Sequence, residues 1–226
     1  MTMKYLLVTL LFSGSFVGAQ TDVPINAKVV VRYNTVLHQI KQRRELIKSK
    51  KSAAVRAQQA SQLLHKSLMD SVFPAWYGTK WDFNGITNVP KQGLIACGYF
   101  VSTTLKHVGF NLNRYKMAQQ AASVIINETC GKSYVKTHRN VDTLLNRLRK
   151  RPDGLYVVGL DYHVGFLLVE QSKVYFIHAD FFNGKVVREL ASTSTAFTTT
   201  GIYVLGQITG NKPLMNKWLK GTRIYG

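Results

Sequence analysis

Cysteine is scarce in this chain, which has only Cys97 and Cys130 among its 226 residues. Small secreted scaffolds that depend on disulfides carry several cysteines, so this count excludes that class. It also argues against a structural zinc site, although histidines are able to complete one. A single bridge from Cys97 to Cys130 remains open, and it would leave no free thiol at Cys97.

Acidic residues are scarce as well: 11 Asp and Glu stand against 30 Lys and Arg, a formal net charge of +19. Such a charge attracts polyanions over a long range. The sequence lacks a helix-turn-helix signature, zinc-finger spacing and an RNA-binding aromatic motif, so we expect no nucleic acid partner. The open alternatives are binding to an anionic wall polymer or a membrane surface, and a basic face that only solvates the protein.

Long apolar runs are missing after residue 19, so no later segment is expected to span a bilayer. Residues 1–19 contain Lys4, an apolar run over 6–12 and the small residues Val17-Gly18-Ala19. This is the layout of a secretory signal peptide cleaved after Ala19. Removal of Lys4 with the signal leaves a charge of +18, from 19 minus 1. We therefore expect an exported protein, periplasmic or secreted.

The whole chain has the apolar share, 46%, of an ordinary globular protein. Residues 20–72 form a basic segment whose apolar residues recur at helical spacing, which predicts one helix or a bent pair over 35–72. Residues 73–226 form the main domain. Its first part, residues 73–96, combines aromatic residues with Gly and Pro and predicts an ordered loop.

In the main domain, helices come first and strands follow. Helices are predicted from Ala96 to Gly109, over 115–126, and over 141–150 with Asn140 as the N-cap. Strands are predicted at 155–160, 163–170, 173–181, 185–190 and 201–208. The short breaks between the first four strands favour hairpins and an antiparallel sheet. This order of elements indicates the α+β class.

Cys97 lies where the aromatic loop ends and a helix begins. Unpaired backbone N–H groups and the helix dipole at such a position favour a thiolate, the reactive form of cysteine. The alternative is a buried and inert thiol, which is the usual state of a single cysteine in an apolar run. A reactive Cys97 needs a base within hydrogen-bond reach.

Two histidines on neighbouring predicted strands supply candidates for that base and its partner. His163 opens one strand, and a base needs only to be close to the nucleophile in space. His178 lies on the next strand, in position to orient the His163 ring as the third member of a triad. Asp180 points to the same sheet face as His178 and competes for the orienting role.

Three aromatic residues near Cys97 are candidates for a substrate groove: Trp76, Trp81 and Tyr99. Asp180 is a further candidate for substrate binding. For each aromatic residue, packing in the core is the alternative interpretation.

The residues around these candidates resemble the NlpC-type cell-wall cysteine peptidases. The resemblance rests on Ile95-Ala96-Cys97-Gly98-Tyr99-Phe100-Val101, His163-Val164-Gly165-Phe166, Phe176-Ile177-His178-Ala179 and the loop over 77–85. It covers about residues 76–190. It implies a papain-like core, with helices packed on an antiparallel sheet, that hydrolyses amide bonds in peptidoglycan stem peptides without a metal or cofactor. By position, Cys97 is the nucleophile, His163 the base and His178 the orienting residue.

The chain departs from that family at three positions. The family usually has Asp before the cysteine and Ser after it, where this chain has Ala96 and Gly98. Trp81 stands where the family often has Tyr. Two other functions therefore stay open, namely a thiol acyltransferase or lipid hydrolase on the same fold, and a non-catalytic basic module that binds the cell wall.

Overall fold

The computed structural model describes residues 25–225, and side chains from residue 30 onward. The predicted signal peptide, residues 1–19, lies outside the described residues. The described part begins with two helices, α1 (Ile25–Lys48) and α2 (Ala53–Ser67), so the basic segment is a bent pair. Ser52 caps α2 by accepting a hydrogen bond from the Val55 N–H, which places the break at a residue that favours helix starts.

The segment predicted as an aromatic loop begins as a helix instead. A π-helical turn (Leu68–Val72) leads directly into the short helix α3 (Phe73–Trp76). Phe73 and Trp76 are fully buried, and this packing extends the helix past the predicted boundary. Pro74 is the second residue of α3, directly after the π-helical turn.

The bent pair packs on the main domain through one shared core. Tyr33 of α1 and Leu64 of α2 are buried in the same apolar cluster as Trp218 near the C-terminus. The Tyr33 hydroxyl accepts a hydrogen bond from Trp76 Nε1 at 2.9 Å and lies 3.0 Å from His107 Nδ1. The basic segment and the main domain therefore bury their apolar surfaces together.

Six further helices follow: α4 (Cys97–His107), α5 (Arg114–Ala118), α6 (Ala122–Cys130), α7 (Val141–Arg149), α8 (Thr195–Thr198) and α9 (Lys212–Lys220). Helix α7 starts as predicted, because the Asn140 side chain accepts a hydrogen bond from the Thr143 N–H. The single helix predicted over 115–126 is wrong. The chain leaves the helix at residues 119–121, which allows α5 to pack on the start of α4 while α6 packs on the sheet.

Ten strands are present in the described residues: β1 (Lys80–Trp81), β2 (Leu94–Ile95), β3 (Asn111–Leu112), β4 (Val135–His138), β5 (Gly154–Gly159), β6 (Val164–Glu170), β7 (Lys173–Asp180), β8 (Lys185–Leu190), β9 (Tyr203–Gln207) and β10 (Arg223–Tyr225). Eight of them form one sheet in the order β2-β1-β8-β7-β6-β5-β9-β4. Its pairs are antiparallel except for β1 with β2. The fold is α+β with a mostly antiparallel sheet, as the order of predicted elements indicated.

Helices cover both faces of this sheet. One face packs against the large cluster that includes Phe73, Phe100 and Trp218, and the other packs against Leu144 and Leu148 of α7. Every residue of β5 is buried, which is expected of a strand covered on both faces. The structure also contains β3, β4, α9 and β10, which the sequence patterns did not indicate. Within residues 25–225, none of the helices combines the length and the apolar character needed to cross a membrane.

Candidate active site

Cys97 is the first residue of α4, and its sulfur lies against the start of β6. Both cysteines are free thiols, so the alternative of a Cys97–Cys130 bridge is excluded. Burial raises the pKa of the Cys97 thiol, while backbone N–H groups of Val164, Gly98 and Cys97 itself lower it. The helix terminus acts on the sulfur as expected, but burial has the larger effect. Cys97 is therefore a neutral thiol at neutral pH, which corrects the expectation of a favoured thiolate.

Gly98 is required by the packing of α5 on α4. A Cβ added at this position would lie 2.3 Å from the carbonyl oxygen of Ala118, the last residue of α5. Any larger side chain would push α5 away from the start of α4. This contact gives a physical reason for Gly98 at a position where the resembled family usually has Ser.

His163 lies immediately before β6 and is buried. Its Nε2 atom is 2.8 Å from Nδ1 of His178, and its carbonyl accepts a hydrogen bond from the Leu160 N–H at 2.8 Å. Burial and the neighbouring His178 lower the pKa of His163 to about 3, against a smaller opposite effect of Asp180. The imidazole is therefore neutral at neutral pH.

His178 lies on β7 and connects His163 to a carboxylate. Its Nε2 atom is 3.1 Å from Oε1 of Glu189 on β8, and its ring stacks on Phe176 at 3.9 Å between centroids. Burial lowers the pKa of His178 to about 4, partly offset by Asp180. Gly165 leaves room for this arrangement, because an added Cβ would lie 2.9 Å from His178 Cβ.

The chain of contacts assigns the proton positions on both rings. A carboxylate only accepts hydrogen bonds, so His178 Nε2 must donate to Glu189. A neutral imidazole carries one N–H, so His178 Nδ1 is an acceptor and His163 Nε2 donates to it. His163 Nδ1 then carries no proton. The ring is held in the tautomer that can accept a proton at Nδ1.

Glu189 was not among the residues singled out from the sequence. Its strand was predicted with the observed bounds, and it pairs with Phe176, two residues before His178. Residues two apart on a strand share a face, so Glu189 and His178 lie on the same face. The signal was present in the hairpin register, but the register is known only once the strands are paired.

Asp180 does not contact the His163 ring by a hydrogen bond. Its carboxylate accepts hydrogen bonds from the backbone N–H groups of Phe182 and Asn183 and from the Asn183 side chain. It therefore closes the turn after β7. His178, rather than Asp180, lies in the position that orients His163. Asp180 also does not line the cavity at Cys97, so the expectation that it binds substrate is not supported by its position.

A cavity of about 450 Å³ opens at Cys97 and His163. Trp81 and Tyr99 line it, as the sequence predicted. Trp76 does not: it is fully buried in the core, where its indole N–H donates to Tyr33. The expectation that Trp76 lines a substrate groove is therefore wrong, and the packing alternative holds for this residue.

Arg114 supports one wall of the cavity from behind. Its guanidinium donates to the carbonyl oxygens of Ile86 and Thr87 and to Thr103 Oγ1, and it lies 5.1 Å from the Tyr99 ring centroid. The side chain is buried, so these bonds satisfy a charge removed from water. Sequence reasoning missed this residue because its partners are distant along the chain.

One group of side chains in residues 25–225 has the composition of a metal site. His178, Asp180 and Glu189 each present one ligand atom, all within 4.8 Å of one another. Both ring nitrogens of His178 already contact His163 and Glu189, and Asp180 is held by the turn. A metal ion bound here would have to replace one of the two hydrogen bonds of the His178 ring, the one to His163 or the one to Glu189.

Comparisons of the chain with protein-family models, with curated proteins and with solved structures found no match. A thiol at a helix start, a buried imidazole that lines the same cavity and a further imidazole with a carboxylate behind it are the parts of a nucleophile activated by a base. This arrangement can attack a carbonyl carbon.

Proposed function

We propose that this protein is an exported cysteine hydrolase with a papain-like, NlpC-type core that cleaves amide bonds in peptidoglycan stem peptides. Cys97 is the nucleophile, His163 the base and His178 the residue that orients the base. The observation that carries the proposal is the hydrogen-bonded chain from His163 through His178 to Glu189, which ends at the cavity that Cys97 also lines. The α+β architecture, with α4 packed against β6 and β7, supports it.

The reaction starts from a neutral pair. As the Cys97 sulfur attacks the peptide carbonyl carbon, its proton moves to His163 Nδ1. The new imidazolium donates to His178, whose own N–H donates to the Glu189 carboxylate, so the developing positive charge is stabilised. Backbone N–H groups of Val164, Gly98 and Cys97 contact the sulfur, and those at the start of α4 are the donors proposed to hold the oxyanion.

The second half of the reaction reverses the proton transfer. His163 gives its proton to the leaving amine, the C–N bond breaks, and a thioester to Cys97 remains. Water then attacks the thioester with His163 again as the base. The thiol is regenerated and the acyl part leaves as a carboxylic acid.

Replacement of Cys97 by Ala tests this function on purified peptidoglycan, with released fragments identified by mass spectrometry. We expect wild-type protein to release new free amines and Cys97→Ala to release none. Cys130→Ala is the matched control, because Cys130 is a buried thiol outside the cavity and should leave the products unchanged. Undiminished digestion by Cys97→Ala would overturn the proposal.

A basic groove supports the anionic wall polymer as the partner. The groove has a volume of about 440 Å³ and is lined by Lys136, His138, Arg147 and Arg151, without Asp or Glu. Burial lowers the pKa of His138, and the nearby charges of Arg147 and Lys136 lower it further. Both cations therefore contribute to the positive potential at the same part of the groove. In residues 25–225, none of these three Lys and Arg side chains forms an ion pair with a carboxylate.

The groove also has an apolar floor, which includes Leu144, Leu148 and Leu205. Arginine side chains beside such a floor pair with phosphate or carboxylate in a fixed geometry. This surface lies at the sheet edge formed by β4 and β9, away from the residues that line the Cys97 cavity. It would hold the polymer while the cavity acts on the peptides attached to it.

Exposed aromatic residues favour a second candidate function, the hydrolysis or transfer of lipid acyl groups. Phe83 is 79% exposed and Tyr162 is 99% exposed, and both line the Cys97 cavity. Aromatic residues of this kind are common where proteins contact lipid headgroups. Release of fatty acid from lipid vesicles without release of peptide fragments would favour this candidate over the amidase.

A further inference from the structure

The Cys97 cavity carries no formally charged side chain. Fourteen of the described residues, 25–225, line it, and none of these is Lys, Arg, Asp or Glu. The chain as a whole contains 41 such residues, from 30 basic and 11 acidic. A neutral lining is therefore a local property of the cavity and contrasts with the rest of the molecule.

Three charged groups next to lining residues form hydrogen bonds of their own and do not line the cavity. Arg114 donates its hydrogen bonds to Thr103 and to the carbonyls of Ile86 and Thr87, behind the wall. Asp180 is held by the turn after β7. Asp82, between two lining residues, accepts a hydrogen bond from the Asn84 N–H at 2.8 Å. None of these groups faces the cavity as a free partner for an ionic substrate.

The polar side chains that do line the cavity include three carboxamides: Asn84, Gln119 and Gln120. Gln119 Nε2 also donates weakly to the Tyr99 hydroxyl at 3.4 Å. A carboxamide offers both a donor and an acceptor, which matches a peptide bond or another carboxamide. A lining of hydrocarbon alone would be expected for an acyl chain, so the carboxamides favour a peptide.

A neutral cavity discriminates against ionic groups for a physical reason. A carboxylate that enters it loses bound water and gains no opposite charge in return. A carboxamide of nearly the same shape loses less and can pair with the carboxamides of the wall. The difference corresponds to roughly 10- to 100-fold in the specificity constant, the range expected for one buried polar group left without a hydrogen-bond partner.

We infer that the site selects peptides whose segment at Cys97 has no formal charge, so that side-chain and α-carboxyl groups next to the cleaved bond are amidated. This inference rests on the proposed amidase function and names its substrate class. At long range, the net positive charge of the protein opposes this selectivity, because the charge attracts carboxylates to the protein surface. Selection must therefore arise inside the cavity.

Two stem peptides that differ only in one group beside the cleaved amide, carboxamide or carboxylate, test the inference. We expect kcat/KM to be about 10- to 100-fold higher for the amidated peptide at 0.5 M salt, where long-range attraction is screened. Binding of the same peptides to Cys97→Ala, measured by calorimetry, gives a second comparison that needs no turnover. Equal or stronger binding of the carboxylate peptide would overturn the inference.

A charge introduced into the lining should reverse the preference. Gln119→Lys places a cation in the cavity, and we expect it to bring the ratio for the two peptides close to one or below one. Gln62→Lys adds the same charge on the exposed side of α2 and should leave the ratio unchanged. An unaltered ratio in Gln119→Lys would contradict selection by the cavity.

The two measurements separate the two proposals. Preferential binding of the amidated peptide without cleavage would contradict the amidase function and support selection by the cavity. Cleavage of both peptides at equal rates would keep the amidase and overturn the selection. Binding of neither peptide, with Cys97-dependent release of fatty acid from phosphatidylcholine vesicles, would overturn the inference in favour of a lipid substrate.

Discussion

Two cavities of nearly equal size, about 450 Å³ at Cys97 and about 440 Å³ at Arg147, lie on the same protein and differ in charge. The first is lined by aromatic and carboxamide side chains without a formal charge. The second is lined by Lys136, Arg147 and Arg151 with no acidic residue. The excess of positive charge in the chain is therefore unevenly distributed, and this separation suits two different tasks.

The physical reason lies in how charges act at different distances. A basic groove attracts a polyanion from solution, and salt weakens that attraction. A half-buried thiol and two buried imidazoles are suited to a site without charged side chains, because a cation beside His163 would further disfavour the imidazolium of the proposed reaction. Separation of the two regions allows each to keep its own electrostatics.

Cys97→Ala should have the largest effect and should separate the regions completely. We expect the release of peptide fragments to fall by at least about 10³-fold, because no other group replaces the nucleophile. Sedimentation with insoluble peptidoglycan should remain as in wild type, since the basic groove is intact. Parallel loss of binding and cleavage would contradict the assignment of the two tasks to two regions.

Glu189→Gln should reduce catalysis without weakening binding. The variant keeps an acceptor oxygen for His178 but lacks the negative charge that stabilises the imidazolium, so we expect kcat to fall by about 10- to 100-fold with KM unchanged. The pH profile of kcat should also change. Glu170→Gln is the control, because Glu170 pairs with Arg188 on the sheet surface away from the cavity. A change in KM alone would argue for a structural role.

The combined replacement of Lys136, Arg147 and Arg151 by Gln should weaken binding to the wall polymer and leave catalysis unchanged. We expect binding to insoluble wall polymer to weaken by about tenfold at 0.05 M salt and the difference to fade near 1 M salt, where charges are screened within about 3 Å. Cleavage of a small soluble peptide should not change. The same replacement of Lys41, Arg43 and Lys51, on the exposed basic segment, is the control for total charge.

The free energy of unfolding should fall as the pH decreases from about 6.5 toward 4. Burial and the adjacent His178 lower the pKa of His163 to about 3, and burial lowers that of His178 to about 4, whereas an unfolded His titrates near 6.5. The unfolded chain then binds more protons than the folded one, so stability is full above pH 6.5 and is lost as these groups become protonated. The loss is on the order of a few kcal/mol.

Urea unfolding followed by tryptophan fluorescence at pH 7, 5.5 and 4.5 measures this loss. His178→Asn should show a smaller dependence on pH than wild type, because one of the histidines whose pKa is lowered by folding is removed, while others, including His107, remain. Replacement of His38, an exposed residue hydrogen-bonded to Gln42 on α1, should leave the dependence as it is. A free energy of unfolding that stays constant over this pH range would contradict the conclusion that His163 and His178 are neutral in the folded protein.

The sequence predicted most of the sheet, because alternating patterns and short turns act locally. Strand β8 has the predicted bounds, and β5, β6, β7 and β9 differ from the prediction by one or two residues at their ends. Strand β4 was missed because three of its four residues are polar or charged and it pairs only with the distant β9. The break between α5 and α6 was missed because it serves contacts with α4 and the sheet.

The candidate site divides in the same way. Cys97 at a helix start and His163 and His178 on neighbouring strands follow from local patterns. The structure joins His163 to His178 and places Cys97 and His163 at one cavity, but within the described residues no hydrogen bond joins the Cys97 sulfur to the His163 ring. The roles of Trp76 and Asp180 depend on which side of an element faces the cavity. The Trp76 side chain lies in the core, and the Asp180 carboxylate bonds to the turn after β7. Neither orientation can be predicted from residue spacing in the sequence.

The sequence by itself therefore determined the α+β class, the position of Cys97 at the start of a helix and the excess of positive charge. These properties depend on residue type and on neighbours within a few positions. Only the tertiary structure decided the tautomer of His163, the hydrogen bond between Glu189 and His178, and the uncharged lining of the cavity. They depend on strand pairing and burial, which bring together residues that lie far apart in the chain.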